Sequence, residues 1–205
     1  MFMVNYFSKF VLIGMMIEEG IIEMGSGNGK QRIIFITSET HRDPAGFDWE
    51  AFGIYKEYGI NQVMSLYGYN KLLLVTFARE LSRRLNSKGQ TRCSVFAMCP
   101  GPVNSRIARN APNLVQPVLR IVFTLFFKSP AKAAIPVLYL AASPDLEGKP
   151  FDYFHLMNRK DIDPKAENPN NGSILWTLSE QLYEKISTNK KRDDHQKIFD
   201  HPSPI

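Results

Sequence analysis

The sequence is poor in the features that mark secreted, metal-binding or membrane-spanning chains. It has 2 cysteines in 205 residues. Cys93 and Cys99 share one apolar run, and in a strand they would stand about 20 Å apart, too far for a disulfide. No metal site is expected. No apolar run reaches the length of a bilayer span. At Phe10–Ile17 the run is followed at once by Glu18 and Glu19, with no small-residue cleavage site, so it reads as a buried helix in preference to a signal peptide. A phosphate loop is missing too. Gly25-Ser-Gly-Asn-Gly-Lys30 has Met24 where the motif needs Gly and Gln31 where it needs Ser or Thr, so it reads as a helix-to-strand turn. Basic residues are spread out, and net charge is only +5. The one short cluster, Lys190-Lys191-Arg192, reads as a solvated tail, so nucleic acid is not an expected partner. Asn171-Gly-Ser173 matches a glycosylation acceptor, but without an export signal Ser173 reads as a helix cap. The expected setting is cytoplasmic or peripheral on an intracellular membrane, not secreted.

What is present is a globular composition, 44% apolar and 22% charged. One domain over residues 1–187 is expected, followed by a charged tail at 188–205 that ends in Pro202 and Pro204 and is expected to be disordered. The patterning predicts an apolar helix over 2–23, packed on both sides. A buried parallel strand follows at 32–37. Residues 42–62 form a loop with a short helix near Trp49–Phe52. A long helix covers 64–85, with Arg79, Glu80, Arg83 and Arg84 on a wet face. Next come a strand at 93–98 and a stiff turn at Pro100-Gly101-Pro102-Val103-Asn104-Ser105. Leu114–Phe127 reads equally as a core helix, or as a lid or shallow membrane contact. Ser129-Pro130 opens a helix that runs to Ala142 with a kink at Pro136. A third strand is expected at 151–157. Ser173 then caps a last helix, with Ile174, Leu175, Leu178, Leu182 and Ile186 inward. Strand, helix, strand implies a right-handed parallel crossover.

Tyr67 and Lys71 stand four apart on the long helix, on one face. A free phenol has a pKa of about 10, and a fixed ammonium beside it favours the phenolate. Such a pair can move a proton to or from a substrate oxygen. On its own the pair is common by chance. Ser38 lies at the carboxyl end of the first strand, on the rim where α/β sheets place their sites.

In order and spacing, these pieces resemble the short-chain dehydrogenase/reductase family, in its retinol-dehydrogenase-like branch, over residues 1–187. Val4-Asn5 with Phe10 resembles the helix that carries a structural Asn. Arg32–Ser38 resembles the strand that delivers the catalytic Ser, and Tyr67-x-x-x-Lys71-Leu72 resembles the signature pair. Pro100–Ser105 resembles the Pro-Gly-x-Val-x-Thr turn, with Ser105 in the Thr place. The resemblance implies an NAD- or NADP-dependent oxidoreductase, NADP slightly favoured, acting on an apolar alcohol or carbonyl such as a retinoid, steroid or lipid-like compound. It implies Tyr67 as acid/base, Ser38 as donor to the substrate oxygen and Asn5 as holder of a relay water. Lys71 would tune Tyr67 and bond the nicotinamide ribose, with Pro100, Gly101, Val103 and Ser105 lining the nicotinamide.

The family's opening strand, Gly-rich turn and helix, which hold the pyrophosphate, have no counterpart here. The expected fold is therefore α/β, a partial Rossmann-like doubly wound fold with a parallel sheet and flanking helices, its N-terminal βαβ units missing. About three strands are expected, the one at 32–37 lacking a neighbour. The alternative reading is a truncated non-catalytic protein that binds a full-length relative through its helices, which leaves homo- and hetero-oligomers open. A purified chain of these 205 residues is expected to bind NAD(P)H poorly in a fluorescence titration.

Overall fold

A computed structural model describes residues 1–22, 31–87, 89–103 and 129–200, with side chains as far as residue 188. The Gly25–Lys30 turn, Ser105 and the Leu114–Phe127 run lie outside the described residues. Four strands form one sheet in the order β1-β2-β3-β4. β1 (Gln31–Ile36), β2 (Cys93–Cys99) and β3 (Phe151–His155) run parallel, and β4 (Asn158–Lys160) returns antiparallel against β3. The architecture is a mixed α/β, partial Rossmann-like fold, an open sheet with helices on both faces.

β2 is buried at all seven positions, which explains its unbroken apolar run. The long helix α2 (Val63–Leu85) covers one face of the sheet. Its Phe77 ring packs edge-on against Phe35 of β1, and Phe10 of α1 closes over it at 5.5 Å. α1 starts as a π-helical turn (Met3–Phe7) and continues as an α-helix (Ser8–Glu18). Tyr6 beneath it is fully buried. Ser179 already donates to the Leu175 carbonyl, so the Tyr6 hydroxyl donates to Ser179, at 2.7 Å. α3 (Pro130–Ala142) covers the other face of the sheet, with Leu140 packed among Phe96, Met98 and Phe154. Ser129 caps it as expected, accepting from the Lys132 amide, and Pro136 sits inside it. A short helix α4 (Pro164–Glu167) leads into α5 (Pro169–Asp200).

Several expectations are corrected. Among the described residues there are four strands where about three were expected, because β4 is short and wholly exposed and carries no apolar signal. α1 ends at Glu18, short of residue 23, and packs on one side only: Tyr6, Phe7, Phe10 and Ile13 face inward while Val4, Leu12 and Met15 are exposed. Trp49–Phe52 is a turn closed by the Phe52 amide on the Trp49 carbonyl, not a helix. The expected wet face of α2 is largely covered. Glu80 is 6% exposed and pairs with Arg83 and Arg84, while Arg79 and Arg83 reach Glu167. Ser173 lies inside α5 rather than capping it. Asn168 caps that helix instead, accepting from the Asn170 amide at 2.9 Å. Ile186 is exposed, against an inward expectation. α5 runs to Asp200. Among the described residues no helix is long and apolar enough to cross a membrane, and no cluster of His, Cys, Asp and Glu has the makings of a metal site.

Candidate active site

Three elements meet at the carboxyl end of β1. The strand ends at Ile36, and Ser38 continues extended (φ −150°), its hydroxyl accepting from the Thr40 amide at 3.3 Å. The chain then makes a tight turn over Glu39–Arg42. The first turns of α2 lie directly against it. A Cβ on Gly68 would stand 2.8 Å from the Thr40 carbonyl oxygen. Only a residue without a side chain permits that approach, and it brings Tyr67 beside Ser38, whose hydroxyl acts to lower the phenol pKa.

Lys71 follows one turn along, 9% exposed. Its ammonium donates to the Ile36 carbonyl at 3.3 Å and lies 5.3 Å from the centre of the Tyr67 ring. Burial lowers the Lys71 pKa below its ordinary value, and the charge of Lys9 on α1 lowers it further. The Tyr67 phenol is raised, chiefly by burial, which outweighs the hydrogen bond with Ser38. Here burial, not the Lys71 charge, sets the direction of the shift. The ammonium stands over the ring face and is committed to a backbone carbonyl, and desolvation of the phenolate dominates. Tyr67 is therefore a protonated phenol at neutral pH.

The turn bearing Ser38 is held from behind by two side chains. Glu39 accepts from the Tyr153 hydroxyl at 2.6 Å and from Lys160 at 3.1 Å. Burial raises the Glu39 pKa, and Tyr153, Lys160 and Arg42 together bring it below the ordinary carboxylate range. His41 is fully buried and stacks near Tyr153. Its Nδ1 donates to the Ser38 carbonyl at 2.7 Å and its Nε2 accepts from the Asp163 amide at 3.3 Å, the pattern of a neutral imidazole. Burial lowers its pKa.

The other expected residues are placed as follows. Asn5 is half-buried on α1, its carboxamide donating to the Met1 carbonyl at 3.2 Å rather than to Ser38, Tyr67 or Lys71. Pro100, Gly101 and Val103 leave the carboxyl end of β2 on the same rim. Gly101 has φ +72°, and a Cβ there would meet Leu156 Cδ2 at 2.9 Å. Ser105 lies outside the described residues. Gly68, Glu39, Tyr153 and Cys99 were not singled out from sequence. Cys99, buried, ends β2 on the same rim as Tyr67 and Lys71. A Gly directly after the Tyr of a Tyr-x-x-x-Lys pair is the signal that marks the close contact.

A helical Tyr and Lys beside a Ser at a strand's carboxyl end, on an open α/β sheet, form an arrangement able to pass a proton to or from an oxygen. The chain is homologous to short-chain dehydrogenase/reductases of the retinol-dehydrogenase-like branch. It is 30% identical to human retinol dehydrogenase 14 over 184 residues, which is 88% of this chain and 51% of that protein. It is 31% identical to mouse retinol dehydrogenase 13 over 189 residues, 88% of this chain and 52% of that protein. It is 32% identical to the WW domain-containing oxidoreductase of Pongo abelii, again over 88% of this chain but 42% of that protein. The chain thus spans about half the length of the curated relatives it matches. No family model matches it. A solved structure of an uncharacterized protein from Mycobacterium paratuberculosis superposes with TM-score 0.50 at 21% identity, over 76% of this chain and 51% of that one, which bears on the fold alone.

Two outcomes follow from this geometry. Gly68→Ala gains about 1 kcal/mol of helix propensity, but the clash with a backbone oxygen costs about 1–3 kcal/mol. The melting temperature is expected to fall; a rise would show that α2 and the Ser38 turn are not in backbone contact. For His41 the lowered folded pKa means the unfolded chain binds more protons on the acid side. Its contribution is full above the ordinary value of 6.5 and is lost as pH falls through the folded pKa. His41→Asn keeps a donor but cannot titrate. Denaturant melts should therefore show a shallower loss of stability below pH 6.5 in the variant than in the parent.

Proposed function

We propose that this site performs the proton transfer of an NAD(P)-dependent oxidoreduction, in which a hydride moves between a nicotinamide cofactor and the carbon of an apolar alcohol or carbonyl compound. The observation that carries the proposal is the meeting of the Tyr67 and Ser38 hydroxyls beside Lys71 at the carboxyl end of β1.

The described residues fit one end of such a cofactor. Lys71 offers ammonium protons to ribose hydroxyls, and the Pro100–Val103 backbone, turning tightly at Gly101, offers a surface for the nicotinamide. Among the described residues there is no Gly-rich turn between a strand and a helix for the pyrophosphate. When bound, the cofactor supplies the hydride chemistry. The protein's part concerns the oxygen. Tyr67, protonated, donates its proton to a carbonyl oxygen as that oxygen gains charge. Ser38 donates a hydrogen bond to the same atom. Lys71 stabilises the phenolate left behind. In the alcohol direction Tyr67 accepts the proton. Asn5 holding a relay water completes this reading. The names of the relatives, retinol dehydrogenases, support an apolar alcohol or its carbonyl as substrate. A cytoplasmic or peripheral-membrane setting suits such a substrate.

The second reading, a non-catalytic protein that docks on a full-length relative, is favoured by β1 standing at the edge of the sheet among the described residues. Tyr67→Phe separates the two. With excess NADPH and an apolar aldehyde, kcat should drop about 10²–10⁴-fold while the melting temperature holds. The parent's reduction rate should stay level through neutral pH and fall only on the alkaline side of the ordinary phenol value of 10.0. Turnover that survives in Tyr67→Phe would falsify the catalytic reading. Capture of a partner by a parent chain that shows no turnover would favour the second.

A further inference from the structure

The antiparallel ladder between β3 and β4 covers only Tyr153 to His155, so β4 leaves the first two residues of β3, Phe151 and Asp152, unpaired on that side. A cleft opens there, walled by Arg79 of α2, Glu167 of α4 and the chain that leaves β4. Its volume is about 350 Å³, within the roughly 300–1,000 Å³ of small-molecule sites. It shares no residue with the Ser38, Tyr67 and Lys71 group. Its charged lining is balanced, with Arg79, Arg159 and Lys160 against Asp152, Asp161 and Glu167. Some of these charges are already engaged. Arg79 donates to Glu167 through two of its nitrogens, and Lys160 donates to Glu39. Two groups keep unused capacity. The Arg159 side chain is 67% exposed and reaches Asp152 through Nε, at 2.5 Å, which leaves the rest of its planar fork of donors open among the described residues. The Asp152 side chain is 3% exposed, and its Oδ2 has no hydrogen-bond partner among the described residues. Its register neighbour on β2 is Phe96, fully buried, and burial raises the carboxyl pKa. A buried acceptor without a donor costs free energy that an arriving donor recovers. Phe151 and Ile162 give the cleft an apolar part.

We propose that this cleft binds a free apolar α-amino acid, with its ammonium on Asp152 and its carboxylate on Arg159. The balance of the lining charges selects a zwitterion. A simple anion would gain Arg159 and leave the Asp152 oxygen unpaired, and a simple cation would do the reverse. An α-amino acid carries both charges on neighbouring atoms, and Asp152 and Arg159 are likewise neighbours through their own ion pair. The ammonium brings donors to the under-paired carboxylate. The amino-acid carboxylate accepts from the guanidinium fork, a contact strengthened by charge on both partners. The apolar side chain then lies against Phe151 and Ile162, where removal from water stabilises it. The site is independent of proton transfer at Tyr67 and is read by binding alone.

Isothermal titration calorimetry on the 205-residue chain tests this with three probes that share one apolar body: L-phenylalanine, N-acetyl-L-phenylalanine, which lacks the ammonium, and L-phenylalaninamide, which lacks the carboxylate. Saturable one-to-one binding of L-phenylalanine is expected. Each analogue should bind about 10–100-fold more weakly, the loss of one charge-assisted contact. Arg159→Gln should weaken L-phenylalanine by a similar factor without weakening the amide. Asp152→Asn should weaken L-phenylalanine and the amide without weakening the N-acetyl compound. Where Asp152→Asn fails to fold, Arg159→Gln alone decides, since its side chain lies mostly in water. Three outcomes overturn the proposal: no saturable heat with L-phenylalanine, either analogue binding as tightly as L-phenylalanine, or L-phenylalanine binding that survives the substitutions.

Discussion

The backbone contact between Gly68 and Thr40 sets the distance on which the site depends. α2 cannot settle onto β1 and the turn after it unless one residue on its inner face has no side chain. Gly68 occupies that place, and its neighbour Tyr67 is thereby carried to Ser38. Both flanking elements are stiff. α2 is pinned by the Leu72–Phe77 block of buried side chains and by Phe77 against Phe35 and Phe10. β1 is pinned by its ladder to β2 and by Thr37, whose amide and hydroxyl both donate to the Met98 carbonyl. With both sides fixed, a contact that tolerates no Cβ becomes a gauge for the site.

The Ser38 turn is a loop, and loops need anchors to hold a side chain in register. Glu39 and His41 supply them from opposite ends, one tied to Tyr153 and Lys160 on the β3–β4 hairpin, the other to the Asp163 amide ahead of α4. The anchoring groups keep the ionisation states their bonds require. Glu39 stays charged because two donors and the Arg42 charge outweigh its burial, and His41 stays neutral because burial outweighs its carboxylate neighbours. The electrostatics of Tyr67 and Lys71 run the same way, with desolvation ahead of pairwise charge. The site is dry enough to disfavour charge on either group, which suits a phenol that gives up its proton only when a substrate oxygen demands it.

Much of this was legible in the sequence, in proportion to how local the signal is. β1 and β2 are continuous apolar runs, α2 has unambiguous periodicity, and Ser129-Pro130 is a sufficient start for α3. Each was placed within a residue or so. Tyr67, Lys71 and Ser38 were readable because spacing on a helix and position at a strand end are one-dimensional facts. Burial of Glu80 was not, since it depends on Arg83 and Arg84 folding back and on α5 arriving from a hundred residues away. β4 was not, because a three-residue strand with every side chain in water has no pattern to read. The anchoring by Glu39 was not, because its partners Tyr153 and Lys160 are more than a hundred residues distant. The direction of the Tyr67 shift was not, for a related reason. Sequence spacing shows that two groups are neighbours, but not that the ammonium lies over the ring, nor how little water reaches the hydroxyl.

The same packing that brings the proposed relay groups together leaves the outer edge of β1 without a paired strand among the described residues. Ser38, Tyr67 and Lys71 are drawn together by β1, β2 and α2, all of which are present and buried against one another. Nothing in their geometry requires a strand on the far side of β1. The Ile36 carbonyl ends β1 and accepts from the Lys71 ammonium. The register of that strand and the position of the Lys71 charge are therefore fixed through one atom, so any shift of β1 along β2 would carry Lys71 away from Tyr67 as well.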